Sequence, residues 1–90
     1  AVSGMIKGMA IDLASKGIRV NSVAPGMIDT GLLANGAISQ NQLEEDIRRY
    51  PLKRYGKPEE VSWAVVYLLS DASKWVTGSN LLIDGGYTLL

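Results

Sequence analysis

The residues best suited to chemistry in this sequence lie where a strand-forming run meets a proline-glycine pair. Residues 18–24 are rich in β-branched side chains, and Pro25 cannot donate to a sheet ladder, so we expect strand pairing to end by Ala24. Gly26 lacks a Cβ and would let a flat ligand approach, while Thr30 offers a hydroxyl. Ligands bind beyond the carboxyl ends of strands in open α/β sheets. The junction therefore predicts a ligand-binding loop.

The same residues also have a purely structural interpretation. Pro25-Gly26 would then form a tight turn, and Thr30 would cap a helix that follows it. The residue types at this junction leave both interpretations open.

Composition excludes several kinds of site. The 90 residues contain no cysteine and no histidine, which rules out a disulfide, a thiolate metal site and a Ser-His or Cys-His nucleophile. Glu44 and Arg48 are spaced as an i to i+4 pair, which favours a solvated helix face over paired catalytic carboxylates. We therefore expect no metal site and no His-activated nucleophile in this chain.

Charge and hydropathy exclude two kinds of partner. Nine basic and nine acidic side chains cancel, which leaves no net attraction to nucleic acid or to an anionic membrane. No apolar run is long enough to cross a bilayer, and no signal peptide is visible. We expect a cytoplasmic protein that binds neither nucleic acid nor membrane.

The first elements predicted are a helix and the strand that leads to the ligand loop. Apolar residues recur at i, i+3, i+4 and i+7 over residues 1–15, which predicts an amphipathic helix. Gly17 can take the left-handed position that ends it, and the strand at 18–24 follows. Residues 30–40 contain several turn formers, so we expect a mobile loop there.

A short helix is predicted after this loop. Ser39 and Gln42 are spaced as a capping box, and Leu43 begins an apolar stripe that includes Tyr50. Pro51 must end the helix, because proline removes a backbone donor and clashes with the preceding turn.

A long helix and a second strand complete the pattern. Pro58 suits a first helical position, and the apolar stripe behind it continues to about Ser70. Residues 81–83 are predicted to form a short buried strand. We expect the two strands to be parallel neighbours joined by a right-handed crossover.

Three segments of the chain resemble the short-chain dehydrogenase/reductase family, in the family's order. Residues 18–30 resemble its strand ending in Asn-x-x-x-Pro-Gly, which is followed by Ile or Val and then Thr. Residues 51–61 resemble the segment leading into its last large helix, and residues 77–86 resemble its terminal strand. The resemblance implies an α/β fold that is the C-terminal fragment of a Rossmann-like doubly wound parallel sheet.

The resemblance also implies that parts of the family's machinery lie outside this chain. Residues 1–90 would form the C-terminal part of a single NAD(P)-binding domain, without the glycine-rich dinucleotide fingerprint. The family's catalytic Ser and Tyr-x-x-x-Lys are absent, since none of the four tyrosines has a lysine four residues later. We therefore expect a fragment of a longer parent protein, inactive by itself.

Roles in the ligand loop follow from the resemblance. It assigns cofactor binding to Pro25, Gly26, Ile28 and Thr30, and it assigns substrate contact to Met27, Leu32 and Leu33. The backbone C=O and N–H of Ile28 would match the donor and acceptor of a nicotinamide carboxamide. The parent protein would transfer a hydride between NAD or NADP and a carbonyl or alcohol substrate. It is similar to 3-oxoacyl-carrier-protein reductases and to polyol and sugar dehydrogenases.

Two further hypotheses stand beside this one. The chain would be a non-catalytic module that self-associates through Trp63, Tyr67 and the terminal strand, or an intact small binding protein. A homo-oligomer is expected in any case, because a two-stranded parallel sheet leaves apolar faces and unpaired edges that another chain must cover.

Overall fold

The computed structural model describes residues 2–89, and within that range it contains three α-helices and a two-stranded sheet. The helices are α1 (Val2–Ala14), α2 (Gln40–Ile47) and α3 (Pro58–Leu69), and the strands are β1 (Ser22–Pro25) and β2 (Asn80–Ile83). Single 3₁₀ turns follow at Asp71–Ser73 and Tyr87–Leu89. The predicted α/β architecture and the order of its elements are confirmed.

α1 ends where the sequence places its left-handed glycine. Gly17 has a φ of +74°, and the N–H groups of Gly17 and Ile18 donate to the carbonyls of Ala14 and Leu13 at 3.0 and 3.2 Å. These bonds satisfy carbonyls that the helix end would otherwise leave free. Ala1, the first residue of the predicted helix, lies outside the described residues.

β1 differs from its prediction at both ends. It begins at Ser22 rather than Ile18, and it includes Pro25, which lies opposite Ile83. The prediction that pairing ends by Ala24 was wrong for a geometric reason. Alternate residues of a strand donate to the same side, and Ser22 and Gly26 donate to the β2 side at 2.9 Å each. The nitrogen at position 25 therefore faces away from β2, and a proline there removes no ladder bond.

Side-chain hydrogen bonds occupy the residues just before β1. The Arg19 guanidinium donates to the carbonyls of Leu68 and Val76 at 2.9 and 3.0 Å. Asn21 donates to the Val76 carbonyl and accepts from the Ser79 N–H, both at 3.0 Å. These bonds fasten the start of β1 to the end of α3 and to the turn before β2, so residues 19–21 do not extend the ladder.

β1 and β2 are parallel, as predicted, and pair from Ser22 opposite Asn80 to Pro25 opposite Ile83. β2 begins one residue earlier than the predicted strand. The connection between the strands carries α2 and α3. This arrangement places both carboxyl ends, and the loops that follow them, at one edge of the sheet.

The two connecting helices begin where the sequence predicts. Ser39 and Gln42 form the capping box, with hydrogen bonds of 3.1 and 2.8 Å. α2 ends at Ile47, so Tyr50 lies outside the helix and is buried in the loop that follows. Pro58 is the first residue of α3.

The chain has a thin core and an extended shape. Within residues 2–89 only four residues are buried, namely Ala10, Tyr50, Tyr55 and Ser73. The accessible area is 6443 Å², whereas a compact monomer of this mass exposes about 5100 Å². The radius of gyration is 16.1 Å, against about 12 Å for a compact domain of this length. Across the described residues, no helix has both the length and the apolar character that crossing a membrane requires.

Candidate functional site

The candidate site is the loop that continues β1, together with the protein segments packed around it. Gly26 donates to the Ile83 carbonyl at 2.9 Å, which keeps the loop aligned with β2 for one residue beyond Pro25. A Cβ at position 26 would lie 3.1 Å from both the Cα and the Cβ of Asp84 and 3.5 Å from a ring carbon of Tyr50. Gly26 therefore permits a close approach between the ends of the two strands.

Ile28 occupies a distinctive backbone position in the loop. It forms an isolated parallel bridge with Gly56, in which Gly56 donates to the Met27 carbonyl at 3.0 Å and Asp29 donates to the Gly56 carbonyl at 2.9 Å. The neighbours of Ile28 thus make the bridge bonds. The N–H and C=O of Ile28 itself face the opposite side and have no hydrogen-bond partner among residues 2–89.

Asp29 organises the residues that follow the bridge. Its Oδ1 accepts from the N–H of Gly31 at 2.9 Å and of Leu32 at 3.4 Å. The structural interpretation that gave Thr30 a capping role is wrong, because Asp29 makes these bonds and the hydroxyl of Thr30 makes none within the described chain. Residues 32–36 form consecutive turns rather than a helix. Thr30 is exposed at the start of these turns.

Met27 lines three cavities. The first, of about 290 Å³, is also lined by Tyr50, Leu52 and residues 82–86. The second, of about 250 Å³, is also lined by Ile38 and by residues of α2. The third, of about 450 Å³, is also lined by Pro25 and Gly26. Leu32 is half-buried and Leu33 is exposed, and neither lines these three cavities.

Three tyrosines pack beneath the loop. The ring of Tyr50 lies edge-on to that of Tyr55, with centroids 6.0 Å apart, and tilted against that of Tyr87, with centroids 4.9 Å apart. The Tyr55 hydroxyl donates to Asp46 Oδ2 at 2.5 Å. This hydrogen bond, together with burial, raises the pKa of Tyr55 to about 12. Tyr55 is therefore a neutral donor at physiological pH.

An ion pair fixes the segment that carries Gly56. Both terminal nitrogens of Arg54 donate hydrogen bonds to the carboxylate of Glu60, at 2.7 and 2.8 Å. The backbone N–H of Lys57 donates to the same carboxylate at 2.8 Å. These bonds lower the pKa of Glu60 to about 2 and raise that of Arg54. The loop before α3 is thus fastened to its first turn, which positions Gly56 opposite Ile28.

Asp84 has partners that the sequence did not reveal. It accepts hydrogen bonds from the N–H groups of Gly86 at 3.0 Å and Thr88 at 3.2 Å. Its pKa is lowered, chiefly by hydrogen bonding to the Thr88 side chain and further by these N–H groups. Its carboxylate therefore orders the turn after β2.

The three segments that carry the sequence resemblance meet at this site, because the β1 loop, the Gly56 loop and the end of β2 are in mutual contact. A family model described as enoyl-(acyl carrier protein) reductase matches residues 1–88. The chain belongs to the short-chain dehydrogenase/reductase family.

Relatives in the short-chain dehydrogenase/reductase family match nearly all of this chain. Cyclohexanol dehydrogenase of Acinetobacter sp. is 45% identical over 87 residues, which are 97% of this chain and 33% of the relative. The 3-oxoacyl-(acyl-carrier-protein) reductase of Thermotoga maritima is 44% identical over 88 residues, which are 98% of this chain and 35% of the relative. The chain spans about a third of the length of these relatives.

A solved member of the short-chain dehydrogenase/reductase family has the same arrangement. The crystal structure of a short chain dehydrogenase family protein from Francisella tularensis superposes with a TM-score of 0.83 at 38% identity. The match covers 99% of this chain and 40% of that one. The fold predicted from the sequence is thereby confirmed.

Three residues of the candidate site were missed by sequence reasoning. Gly56 pairs with the loop, and Tyr55 and Asp46 are hydrogen-bonded to each other. A glycine two residues before Pro58 was a usable signal, since a small residue there lets another backbone approach. Nothing in the local sequence pairs Tyr55 with Asp46.

Proposed function

We propose that this chain supplies the cofactor-facing loop and the substrate loop of an NAD(P)-dependent oxidoreductase that interconverts carbonyl and alcohol groups. Family membership supports oxidoreductase chemistry. The proposed cofactor contact rests on the backbone of Ile28. Its N–H and C=O have no partner among residues 2–89, while the N–H of Asp29 and the C=O of Met27 are both paired with Gly56.

The backbone of Ile28 fits the polar end of a nicotinamide. A carboxamide presents one donor edge and one acceptor edge, and a residue held between two paired neighbours offers a fixed acceptor and a fixed donor. The bridge to Gly56 uses neither the N–H nor the C=O of Ile28. Ile28 would hold the carboxamide and thereby orient the ring, and the nicotinamide supplies the hydride chemistry when it is bound.

The neighbouring residues would complete the cofactor contact. Thr30 is exposed and its hydroxyl has no partner within the described chain, so it is available to a carboxamide or a phosphate oxygen. Pro25 and Gly26 would shape the loop against the ring, with Gly26 held against Asp84. This site would accept NAD or NADP, because the residues that discriminate between them follow an earlier strand of the family fold.

The substrate would approach from the side of Met27. Met27 is 44% exposed and lines three cavities, which supports contact with a small molecule. Leu32 and Leu33, on the turns after Asp29, would supply further apolar surface and exclude water. The proton donor and its lysine partner would come from the part of the fold that precedes this chain.

The experiment that tests the loop assignment is Thr30→Val in the parent protein. Loss of one hydroxyl hydrogen bond should weaken cofactor binding by about 0.5 to 1.5 kcal/mol, which raises the cofactor KM roughly two- to tenfold. Thr77→Val is the matched control, because the Thr77 hydroxyl accepts from the Val20 N–H at 3.1 Å before the two strands begin, at the end of the sheet away from the loop. That variant should lose stability and keep its cofactor KM. An unchanged cofactor KM in folded Thr30→Val would contradict the role of Thr30.

The parent protein would be a cytoplasmic homo-oligomer. Apolar side chains of α3 are open to solvent, with Trp63 70% and Leu69 80% exposed, and Tyr67 is 44% exposed. Surface of this kind is usually covered by other protein. The same exposure is the observation that favours the second candidate, a non-catalytic module that only self-associates. Cofactor binding to the parent protein, measured by titration, separates the two, because the module would bind none.

A further inference from the structure

One hydrogen bond joins the residues of α2 to the segment that carries Gly56. The start of α2 is capped locally by Ser39 and Gln42, and its C-cap carbonyl, at Arg48, accepts from Lys53 Nζ at 2.8 Å. Among the described residues, every hydrogen bond of residues 40–47 stays within residues 39–50 except the one that Asp46 accepts.

That exceptional bond comes from a rigid part of the site. The Tyr55 hydroxyl donates to Asp46 Oδ2 at 2.5 Å, and the Tyr55 side chain is only 8% exposed. The residue after Tyr55 is Gly56, whose backbone pairs with the ligand loop on either side of Ile28. Asp46 is therefore tied to the same short segment that positions the cofactor-facing backbone.

The bond also closes one wall of the cavity beside Met27. This cavity, of about 250 Å³, has Met27 and Tyr55 on one side and Gln42, Asp46 and Arg49 from α2 and its end on the other. A shift of α2 away from Tyr55 would widen the space next to Met27. The position of α2 thus determines how large a group fits there.

We propose that the Asp46–Tyr55 hydrogen bond is a latch that positions α2 and thereby restricts the size of the substrate accepted beside Met27. The proposal rests on the function proposed above, in which Met27 faces the substrate. Asp46 and Tyr55 are positioning residues and touch no reacting atom.

The chemistry of the pair suits a permanent latch. The pKa of Tyr55 is raised to about 12, so the phenol remains a donor throughout the physiological pH range. Asp46 also lies 4.0 Å from Arg49 within its own turn, a contact that leaves Oδ2 to the phenol. The ring of Tyr55 keeps its edge-on packing against Tyr50 whether or not the hydroxyl is present, so the bond can be removed without emptying the core.

The test uses Tyr55→Phe in the parent protein, with Ser22→Ala as the control. Ser22 Oγ donates to Asn80 Oδ1 at 2.9 Å where β1 and β2 begin, so Ser22→Ala also removes one side-chain hydrogen bond, away from α2. Kinetics are measured with a series of ketones of increasing size. We expect Tyr55→Phe to raise kcat/KM for the largest ketone relative to the smallest by about fivefold, through KM, with the cofactor KM unchanged. Ser22→Ala should change neither quantity.

Amide hydrogen exchange gives an independent measurement. Exchange of residues 40–47 should be about tenfold faster in Tyr55→Phe than in the parent protein, while exchange in β1 is unchanged. Asp46→Leu should reproduce both effects. Asp46→Asn, unlike Asp46→Leu, should keep the selectivity of the parent protein, because an amide oxygen also accepts from the phenol.

Unchanged amide exchange of residues 40–47 in Tyr55→Phe would show that the hydrogen bond does not hold α2, which overturns the proposal. Faster exchange with unchanged selectivity for ketone size would show that the pair holds α2 without restricting the substrate, which overturns the claim about substrate size. A variant that fails to fold is replaced by Asp46→Leu, for which the same two results are decisive. If the parent protein reduces no ketone, the proposed function fails, while faster exchange at 40–47 still shows that the pair holds α2.

Discussion

Replacing Gly26 by Ala should destabilise the parent protein because the added methyl meets backbone. The ideal Cβ lies 3.1 Å from Asp84 Cα and Cβ and 3.5 Å from a Tyr50 ring carbon. Gly26 is not among the glycines with positive φ, so no backbone strain contributes. Overpacking of this kind costs about 1 to 3 kcal/mol. Alanine recovers about 0.4 to 1 kcal/mol by restricting the unfolded chain, which leaves a net loss of about 1 to 2 kcal/mol.

Gly56→Ala provides a matched control in the same site. Its Cβ would lie 2.9 Å from Ile28 Cδ1, the tip of a side chain that can rotate, and the next nearest atom is the Met27 carbonyl oxygen at 3.8 Å. The same gain in the unfolded state applies, so the net change should lie within about 0.5 kcal/mol. The two variants thus add one methyl each, against backbone in one case and against a flexible tip in the other.

Urea denaturation at a fixed protein concentration measures both effects. The concentration must be held constant because association contributes to the stability of an oligomer. The midpoint of Gly26→Ala should fall, while that of Gly56→Ala stays near the parent value. The reasoning is refuted if Gly26→Ala is as stable as the parent, or if Gly56→Ala loses more stability than Gly26→Ala.

Three further predictions concern the ion pair, the helix end and the chain alone. Glu60 has a folded pKa of about 2 against its usual 4.5, so its pair with Arg54 stabilises the fold above pH 4.5, and this contribution is lost as the pH falls towards 2. The midpoint difference between Glu60→Gln and the parent should therefore be largest at neutral pH and vanish near pH 2; a difference that is constant with pH would contradict this. Gly17→Ala should cost about 1 kcal/mol in thermal unfolding, because Gly17 has a φ of +74°, and Gly17→Asn should lose less. The 90-residue chain alone should turn over no NAD(P)H and should sediment as a species larger than 9.7 kDa; turnover, or a compact folded species of 9.7 kDa, would refute these expectations.

Local chemistry explains why much of the fold was predictable. The capping box at Ser39 and Gln42, the left-handed Gly17 and the helix start at Pro58 each depend on residues within one turn of each other. Parallel pairing of the two strands was predicted together with a crossover that carries the two connecting helices. β1 begins later than predicted because Arg19 bonds to carbonyls far away in the sequence. It includes Pro25 because the nitrogen at position 25 faces away from β2, which depends on how the two strands pair.

The sequence by itself determined the order of elements and the family, since these depend on periodicity, caps and three motifs in a fixed order. Only the tertiary structure decided which backbone groups of the loop after β1 are paired. Among residues 2–89 the N–H and C=O of Ile28 have no partner, because Gly56 pairs with the neighbours of Ile28, and Tyr55 reaches Asp46 of α2. These contacts join separate loops whose approach depends on the packing of the whole sheet edge, and no local pattern encodes them.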